Sequence, residues 1–254
     1  MASVFITGGA TGIGAASVRK FAADGFDVAV FDINADAVQQ LASEGYVGSI
    51  SYFETDVRQR DEVRASVAAA AVKLGAPSAL FVNAGIQKLA GIFEMEDEDI
   101  DAIIDINLKG ALYTVAEVAA LMRDAGAGGA IVLMSSDQAL VGKEGSIVYG
   151  ATKGAVAQMA KSLSMALVEY DIRVNAVCPA TVKTPLTEQV FQWIADKHFS
   201  GDKDAAWEAE AKTLPIGRVA APEEIAEVVY FLTQPTSSFM TGALVPVDGG
   251  LTAQ

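Results

Sequence analysis

Val4-Phe5-Ile6-Thr7-Gly8-Gly9-Ala10-Thr11-Gly12-Ile13-Gly14 decides how the chain is read. The apolar triplet reads as a strand, the glycines as a tight loop, and the residues from Gly12 as the first turn of a helix. Glycine lets the backbone turn sharply there. It also lets a pyrophosphate approach the helix N-terminus, where free N–H groups and the helix dipole favour negative charge. The spacing is Gly-x-x-x-Gly-x-Gly rather than Gly-x-Gly-x-x-Gly. A glycine loop alone is common, but between a strand and a helix it predicts nucleotide binding through Gly8, Thr11, Gly12, Ile13 and Gly14.

Outward from this loop, short apolar runs alternate with amphipathic stretches. Further strands are expected at Asp27–Phe31, Ile50–Glu54, Ala79–Val82, Ile131–Met134, Arg173–Val177 and Leu244–Val247. Helices are expected at Gly12–Ala23, Asn34–Ser43 with Asn34 as cap, Asp61–Leu74, Asp97–Arg123, Ile147–Glu169 and Pro222–Leu232. Strand–helix alternation throughout means an α/β fold: a Rossmann-like, doubly wound, parallel seven-stranded sheet with helices on both faces. No repeat, low-complexity tract or Pro/Gly/Ser linker interrupts it, so a single domain is expected over 1–254. Within it, 185–214 carries Phe191, Trp193, His198, Phe199 and Trp207 among many charged residues. It reads as two amphipathic helices forming a substrate lid over the sheet's C-terminal edge.

Composition narrows the function classes. The net charge of −14 argues against nucleic acid and anionic membrane as partners. No apolar run reaches spanning length; the alanine-rich Ala65–Leu74 is interrupted by Lys73. Met1-Ala2-Ser3 leads straight into the first strand without the charged start and cleavage site of a signal peptide, and the single cysteine, Cys178, forms no internal disulfide. A cytoplasmic protein is expected, with Cys178 a small buried residue. No His/Cys/carboxylate cluster has metal-ligand spacing, so no metal is expected; the one histidine, His198, is expected to be exposed.

Two further features carry chemistry. Asp32, closing the second strand ahead of Ile33-Asn34, sits where a carboxylate accepts hydrogen bonds from adenosine ribose hydroxyls and repels a 2′-phosphate. The glycine loop offers no Arg or Lys for such a phosphate, which favours NAD(H) over NADP(H). Tyr149-Gly150-Ala151-Thr152-Lys153 places a phenol and an ammonium one helical turn apart on one face. An ammonium beside a phenol favours the phenolate, and a tyrosine so tuned exchanges a proton with an alcohol or carbonyl near neutral pH.

Together, Thr7–Gly14, Asn83-Ala84-Gly85, a serine thirteen residues before Tyr149, and Tyr149-x-x-x-Lys153 resemble the short-chain dehydrogenase/reductase family, nearly from end to end, to Val247-Asp248-Gly249-Gly250. The resemblance implies that Tyr149 is the catalytic acid/base and that Lys153 lowers its pKa and holds the nicotinamide ribose. It implies that Ser136 hydrogen-bonds the substrate oxygen. Strand alternation points the neighbouring Ser135 the other way. Asn107 resembles the helix asparagine whose backbone carbonyl holds a proton-relay water. Asp56-Val57 resembles the pair that meets the adenine, with Ile33 beside it. Asn83-Ala84-Gly85 resembles the turn supporting cofactor and sheet. Thr181-Val182-Lys183-Thr184 resembles the segment contacting the nicotinamide amide and pyrophosphate, with Thr181, Val182 and Thr184 as cofactor contacts. Pro179-Ala180 stands where the family usually has Pro-Gly; alanine takes that backbone only if φ stays negative.

The resemblance implies reversible hydride transfer between a secondary alcohol and a ketone. Asp137 and Gln138, directly after the serine, are polar enough to bind hydroxyls, so Ser136, Gln138 and Tyr149 are the expected substrate contacts. The expected substrate is a small polyhydroxy compound: a sugar, polyol or hydroxy acid. A 3-oxoacyl-carrier-protein reductase is the alternative, disfavoured by Asp32 and the acidic charge. A non-catalytic dinucleotide sensor is another, disfavoured by the intact Tyr149 and Lys153. Relatives of this kind are mostly homotetramers packed through the helices near 97–123 and 147–169 and through the C-terminal strand. The small residues Gly150, Ala151, Gly154, Ala155 and Ala157 permit close helix approach.

Overall fold

The computed structural model describes residues 2–253. Seven strands form one parallel sheet: β1 (Ser3–Thr7), β2 (Asp27–Asp32), β3 (Ile50–Glu54), β4 (Ala79–Val82), β5 (Gly129–Met134), β6 (Ile172–Pro179) and β7 (Leu244–Val247). Their order is β3-β2-β1-β4-β5-β6-β7. The strands are apolar at successive positions because both faces are covered. In β1, Val4 and Ile6 enter one core while Phe5 enters the other. β2 repeats this, with Val28 and Val30 on one side and Ala29 and Phe31 on the opposite side.

Three helices cover the face bearing Val4: α1 (Gly12–Ala23), α2 (Ala35–Ser43) and α9 (Pro222–Thr233). The other face lies under α3 (Arg60–Leu74), α5 (Ala111–Ala125) and α6 (Ile147–Leu167). Fully enclosed Phe5, Phe21, Phe31, Phe81, Leu80 and Ile131 each contribute about 1.5–3 kcal/mol from burial. Asn34 caps α2 as its sequence predicts, its Oδ1 accepting from Ala37 N at 3.1 Å.

One expected helix is not continuous. Asp97–Arg123 divides into α4 (Asp97–Ile104), a π-helical turn (Asp105–Gly110) and α5. Wide turns of this kind are frequent at functional sites. Here Asn107 points its side chain inward, and Gly110 presses on Val57, where a Cβ would stand 2.8 Å from Val57 Cγ2. The segment 185–214 forms two helices as expected, α7 (Pro185–His198) and α8 (Lys203–Thr213). Phe191 and Trp207 stack between them, ring centroids 3.8 Å apart at 9°.

The strand order places β4, not β2, on the second side of β1. Successive connections therefore run in opposite directions from that point, and a cleft opens outside the C-terminal ends of β1 and β4.

Candidate active site

The glycine loop is locked to the sheet at this reversal point. Gly8 N donates to Phe31 O at 2.9 Å. Asn83 Nδ2 donates to Gly8 O at 2.8 Å, and the amides of Asn83 and Ala84 reach Thr7 Oγ1 at 3.1 and 3.3 Å. Gly8 and Gly12 take φ of +64° and +54°, which side chains disfavour. A Cβ on Gly14 would lie 2.0 Å from Gly8 O. Thr184, the N-cap of α7, closes over Gly12, with only 3.2 Å to an added Cβ. The result is a cradle of bare backbone at a helix N-terminus, which suits a pyrophosphate.

Asp32 ends β2 beside the loop. Its Oδ2 accepts from Ala10 N at 2.9 Å and its Oδ1 from Asn34 N at 3.0 Å. The carboxylate is thereby fixed at the outer end of the cleft. Ile33 follows it, 73% exposed.

Ser136, Gln138, Tyr149 and Lys153 converge on the cleft with Gly8, Thr11, Gly12, Ile13, Asn83, Ala84 and Gly85. Pro179, Ala180, Thr181, Val182 and Thr184 form the facing wall. Ala180 is not among the residues with positive φ; Asp171 and Ser200 are the non-glycines there among the described residues. Alanine therefore replaces the usual glycine without left-handed strain. Ser135 turns away as strand alternation predicts, its Oγ donating to Lys153 O at 2.8 Å.

The pairing of Tyr149 and Lys153 differs from the expectation. The Lys153 ammonium, 3% exposed, donates to Met134 O at 2.8 Å and lies 5.4 Å from the centroid of the Tyr149 ring. Burial pushes Lys153 down to about 8. Burial pushes the Tyr149 phenol up; the Ser136 hydroxyl opposes this and the Asp137 charge adds to it. Lys153 makes no hydrogen bond to the phenol in this geometry and acts on it only as a nearby charge.

Asn107 lies behind the cleft, 2% exposed. Its Oδ1 accepts from Ile86 N at 2.8 Å and its Nδ2 donates to Ile86 O at 2.9 Å. A weaker bond of 3.3 Å runs from Nδ2 to Thr152 Oγ1. The side chain thus joins the turn after β4 to α6, three residues from Tyr149. Asp56 and Val57 stand apart from the cleft wall. Asp56 is clamped by Arg58, Nη2 to Oδ2 at 2.6 Å, and Val57 is buried against Gly110.

Asp137 corrects a second expectation. It is 1% exposed; Oδ1 accepts the Ser136 hydroxyl at 2.7 Å, and Oδ2 forms an ion pair with Lys143 Nζ at 2.9 Å without a directed hydrogen bond. It is not free to bind substrate hydroxyls. Gln138 keeps that possibility: its Oε1 has no partner and its side chain lines the cleft. Lys143, in the loop after Ser136, and Glu210 also line the cleft. Glu210 lies on α8, which no spacing signal connects to the serine. His198 is exposed, while Phe191 is buried in the α7–α8 stack. Among the described residues no three metal-ligating side chains cluster, and no helix is long and apolar enough to cross a membrane.

A family model described as enoyl-(acyl carrier protein) reductase matches residues 8–252. The chain is 35% identical over 248 residues to the 3-oxoacyl-[acyl-carrier-protein] reductase FabG of Thermotoga maritima, covering 97% of this chain and 96% of that protein. It superposes on the ligand-free aldohexose dehydrogenase of Thermoplasma acidophilum with a TM-score of 0.88 and 31% identity, over 100% of this chain and 95% of that one. On ElxO with NADP bound it superposes with a TM-score of 0.89 and 27% identity, over 100% and 99%.

Proposed function

Given that the chain belongs to the short-chain dehydrogenase/reductase family of oxidoreductases, we propose that it interconverts a secondary alcohol and a ketone with NAD(H), acting on a small polyhydroxy substrate. The family binds NAD(P)(H) and acts on small molecules. The observation that carries the cofactor choice is Asp32, held by Ala10 N and Asn34 N with no cation paired to it among the described residues. A fixed carboxylate there attracts ribose hydroxyls and repels a phosphate on the same ribose. The dinucleotide, when bound, supplies the site that accepts or returns the hydride.

The chain's own residues do the rest. Gly12 and Gly14 give the pyrophosphate backbone N–H groups, Gly8 makes the turn that brings it close, and Thr184 closes over Gly12. Ser136 Oγ holds the substrate oxygen. Tyr149 Oη removes the alcohol proton in oxidation and returns it in reduction. Lys153 Nζ, one turn away, supports the phenolate and the ribose. Asn107 keeps the turn at Ile86 and α6 in fixed relation, so that Tyr149 and the cofactor site stay aligned.

The polyhydroxy assignment draws support from the polar cleft wall of Gln87, Gln138, Lys143, Glu144 and Glu210, and from the likeness to an aldohexose dehydrogenase. The second reading, a 3-oxoacyl-carrier-protein reductase, is favoured by the FabG likeness. Following cofactor absorbance with NAD⁺ against xylitol, glucose and butanediol, and with NADPH against an acetoacetyl thioester, decides between them. Faster thioester reduction with NADPH overturns the polyhydroxy reading.

Asp32→Ala is expected to weaken NAD⁺ while leaving NADP⁺ little affected. Losing hydrogen bonds to a charged group costs about 1.5–3 kcal/mol, on the order of a tenfold to hundredfold rise in KM. An unchanged ratio of KM values for the two cofactors sinks the assignment. We also propose a homotetramer, because α5, α6 and the turn directly after α6 present exposed Leu112, Met165 and Val168. Light scattering that gives the mass of one chain rules it out.

A further inference from the structure

The proposed chemistry leaves one buried charge without a task. Asp137 follows Ser136 in the turn after β5, with almost no exposed surface. Burying a carboxylate costs several kcal/mol unless it is paired and hydrogen-bonded, so what it touches matters. It receives the Ser136 hydroxyl proton at 2.7 Å. Ser136 Oγ also accepts from Gln138 N at 3.2 Å. The serine therefore spends its proton and one lone pair on the protein, and presents its remaining lone pair to the cleft. In this orientation it accepts from a substrate hydroxyl. Donating to a carbonyl oxygen requires breaking the bond to Asp137.

The second Asp137 oxygen extends the connection. Lys143 Nζ lies 2.9 Å from it and 3.6 Å from Glu210 Oε1 on α8. Thr181, in the segment after β6, donates to that same Glu210 oxygen. Three charged side chains thus run in line from the serine to α8. Lys143 balances two carboxylates, so the pieces are mutually dependent.

We infer that Asp137 is a positioning residue: it sets the direction of the Ser136 hydroxyl and, through Lys143 and Glu210, ties that setting to helix α8. This rests on the hydride-transfer reading above.

Two measurements test it. The first is a double-mutant cycle on kcat for NAD⁺-dependent oxidation of xylitol, glucose or butanediol, whichever the parent turns over. Asp137→Ala is expected to lower kcat up to about a hundredfold with a smaller change in KM, because a misplaced catalytic group costs that much. In a Ser136→Ala background the same change should cost almost nothing, since there is no hydroxyl left to orient. Asp137→Asn, which keeps an acceptor oxygen, should recover most of the rate. Equal losses in both backgrounds, or an Asp137→Ala rate within about twofold of the parent, overturns the inference. The second is amide hydrogen exchange across 203–213 in Asp137→Asn, which loses the charge that holds Lys143. Reduced protection of α8 is expected, and unchanged protection overturns the inference. Exchange does not depend on turnover. A parent inactive on all three alcohols would count against the hydride-transfer reading, while exchange would still decide this inference.

Discussion

Tyr149→Phe is expected to reduce turnover by about a thousandfold or more, while leaving dinucleotide affinity and folding unchanged. The substitution removes one oxygen and keeps the ring that packs beside Lys153. A positioned acid/base contributes ~10²–10⁴ in rate. Tyr149 should lie toward the upper end, because no other group in the cleft is placed to take its role. Ser136 has its proton committed to Asp137, and Lys153 faces Met134 O. Steady-state kinetics with saturating cofactor checks this, with cofactor binding measured separately. A variant that retains a tenth of parent activity shows that the proton is handled elsewhere.

The same site gives a pH dependence with a definite sign. Burial raises the Tyr149 phenol, so the protonated form that serves carbonyl reduction is favoured at neutral pH. Reduction is therefore fully supported below the phenol's pKa and declines as pH rises through it. Oxidation needs the phenolate and should climb with pH. Lys153, pushed down to about 8, has its ammonium below that pH and loses it above. The climb in oxidation should therefore flatten past about pH 8. Profiles of kcat/KM in both directions test this, and an oxidation rate that falls steadily from pH 6 to pH 8 contradicts it.

Gly14→Ala is the second large effect. An alanine there meets backbone rather than a movable side chain: its Cβ would lie 2.0 Å from Gly8 O and 2.7 Å from Asn83 Nδ2. Neither can give way easily. Gly8 O already accepts from that same Asn83 nitrogen, and Gly8 N is bonded to β2. Overpacking of this kind costs about 3 kcal/mol, or roughly 10 °C in Tm for a chain of this size. The loop must open, withdrawing N–H groups from the pyrophosphate site. Each hydrogen bond lost to a charged group costs about 1.5–3 kcal/mol, so NAD⁺ affinity should fall by about a hundredfold. Calorimetric titration and a thermal melt check both. A folded variant with parental affinity removes the loop from the cofactor site.

Much of this was legible in the sequence because it depends on local pattern. The seven strands, the loop and the α2 cap follow from apolar runs, glycines and Asn34, all of which act over a few residues. That the sheet is parallel follows from strand–helix alternation, which leaves its strand order open. The break at Asp105–Gly110 was not legible. Its cause is tertiary: Asn107 reaches a peptide twenty-one residues away in the chain, and Gly110 makes room for Val57 from the β3–α3 connection. The engagement of Asp137 was hidden for the same reason. Polarity next to Ser136 suggested substrate contact, while Asp137 is taken up by the Ser136 hydroxyl and by Lys143, which also faces Glu210 on α8. The direction of the Lys153 ammonium is set by a β5 carbonyl that no spacing reveals.

The stacked pair between α7 and α8 has a practical consequence. The chain contains two tryptophans, Trp193 on α7 and Trp207 on α8. Indole emission therefore originates wholly from the wall facing the cleft, and none from the sheet or its covering helices. Any rearrangement of that wall can be followed optically without a label, with Trp207 quenched or released as its stack on Phe191 tightens or loosens.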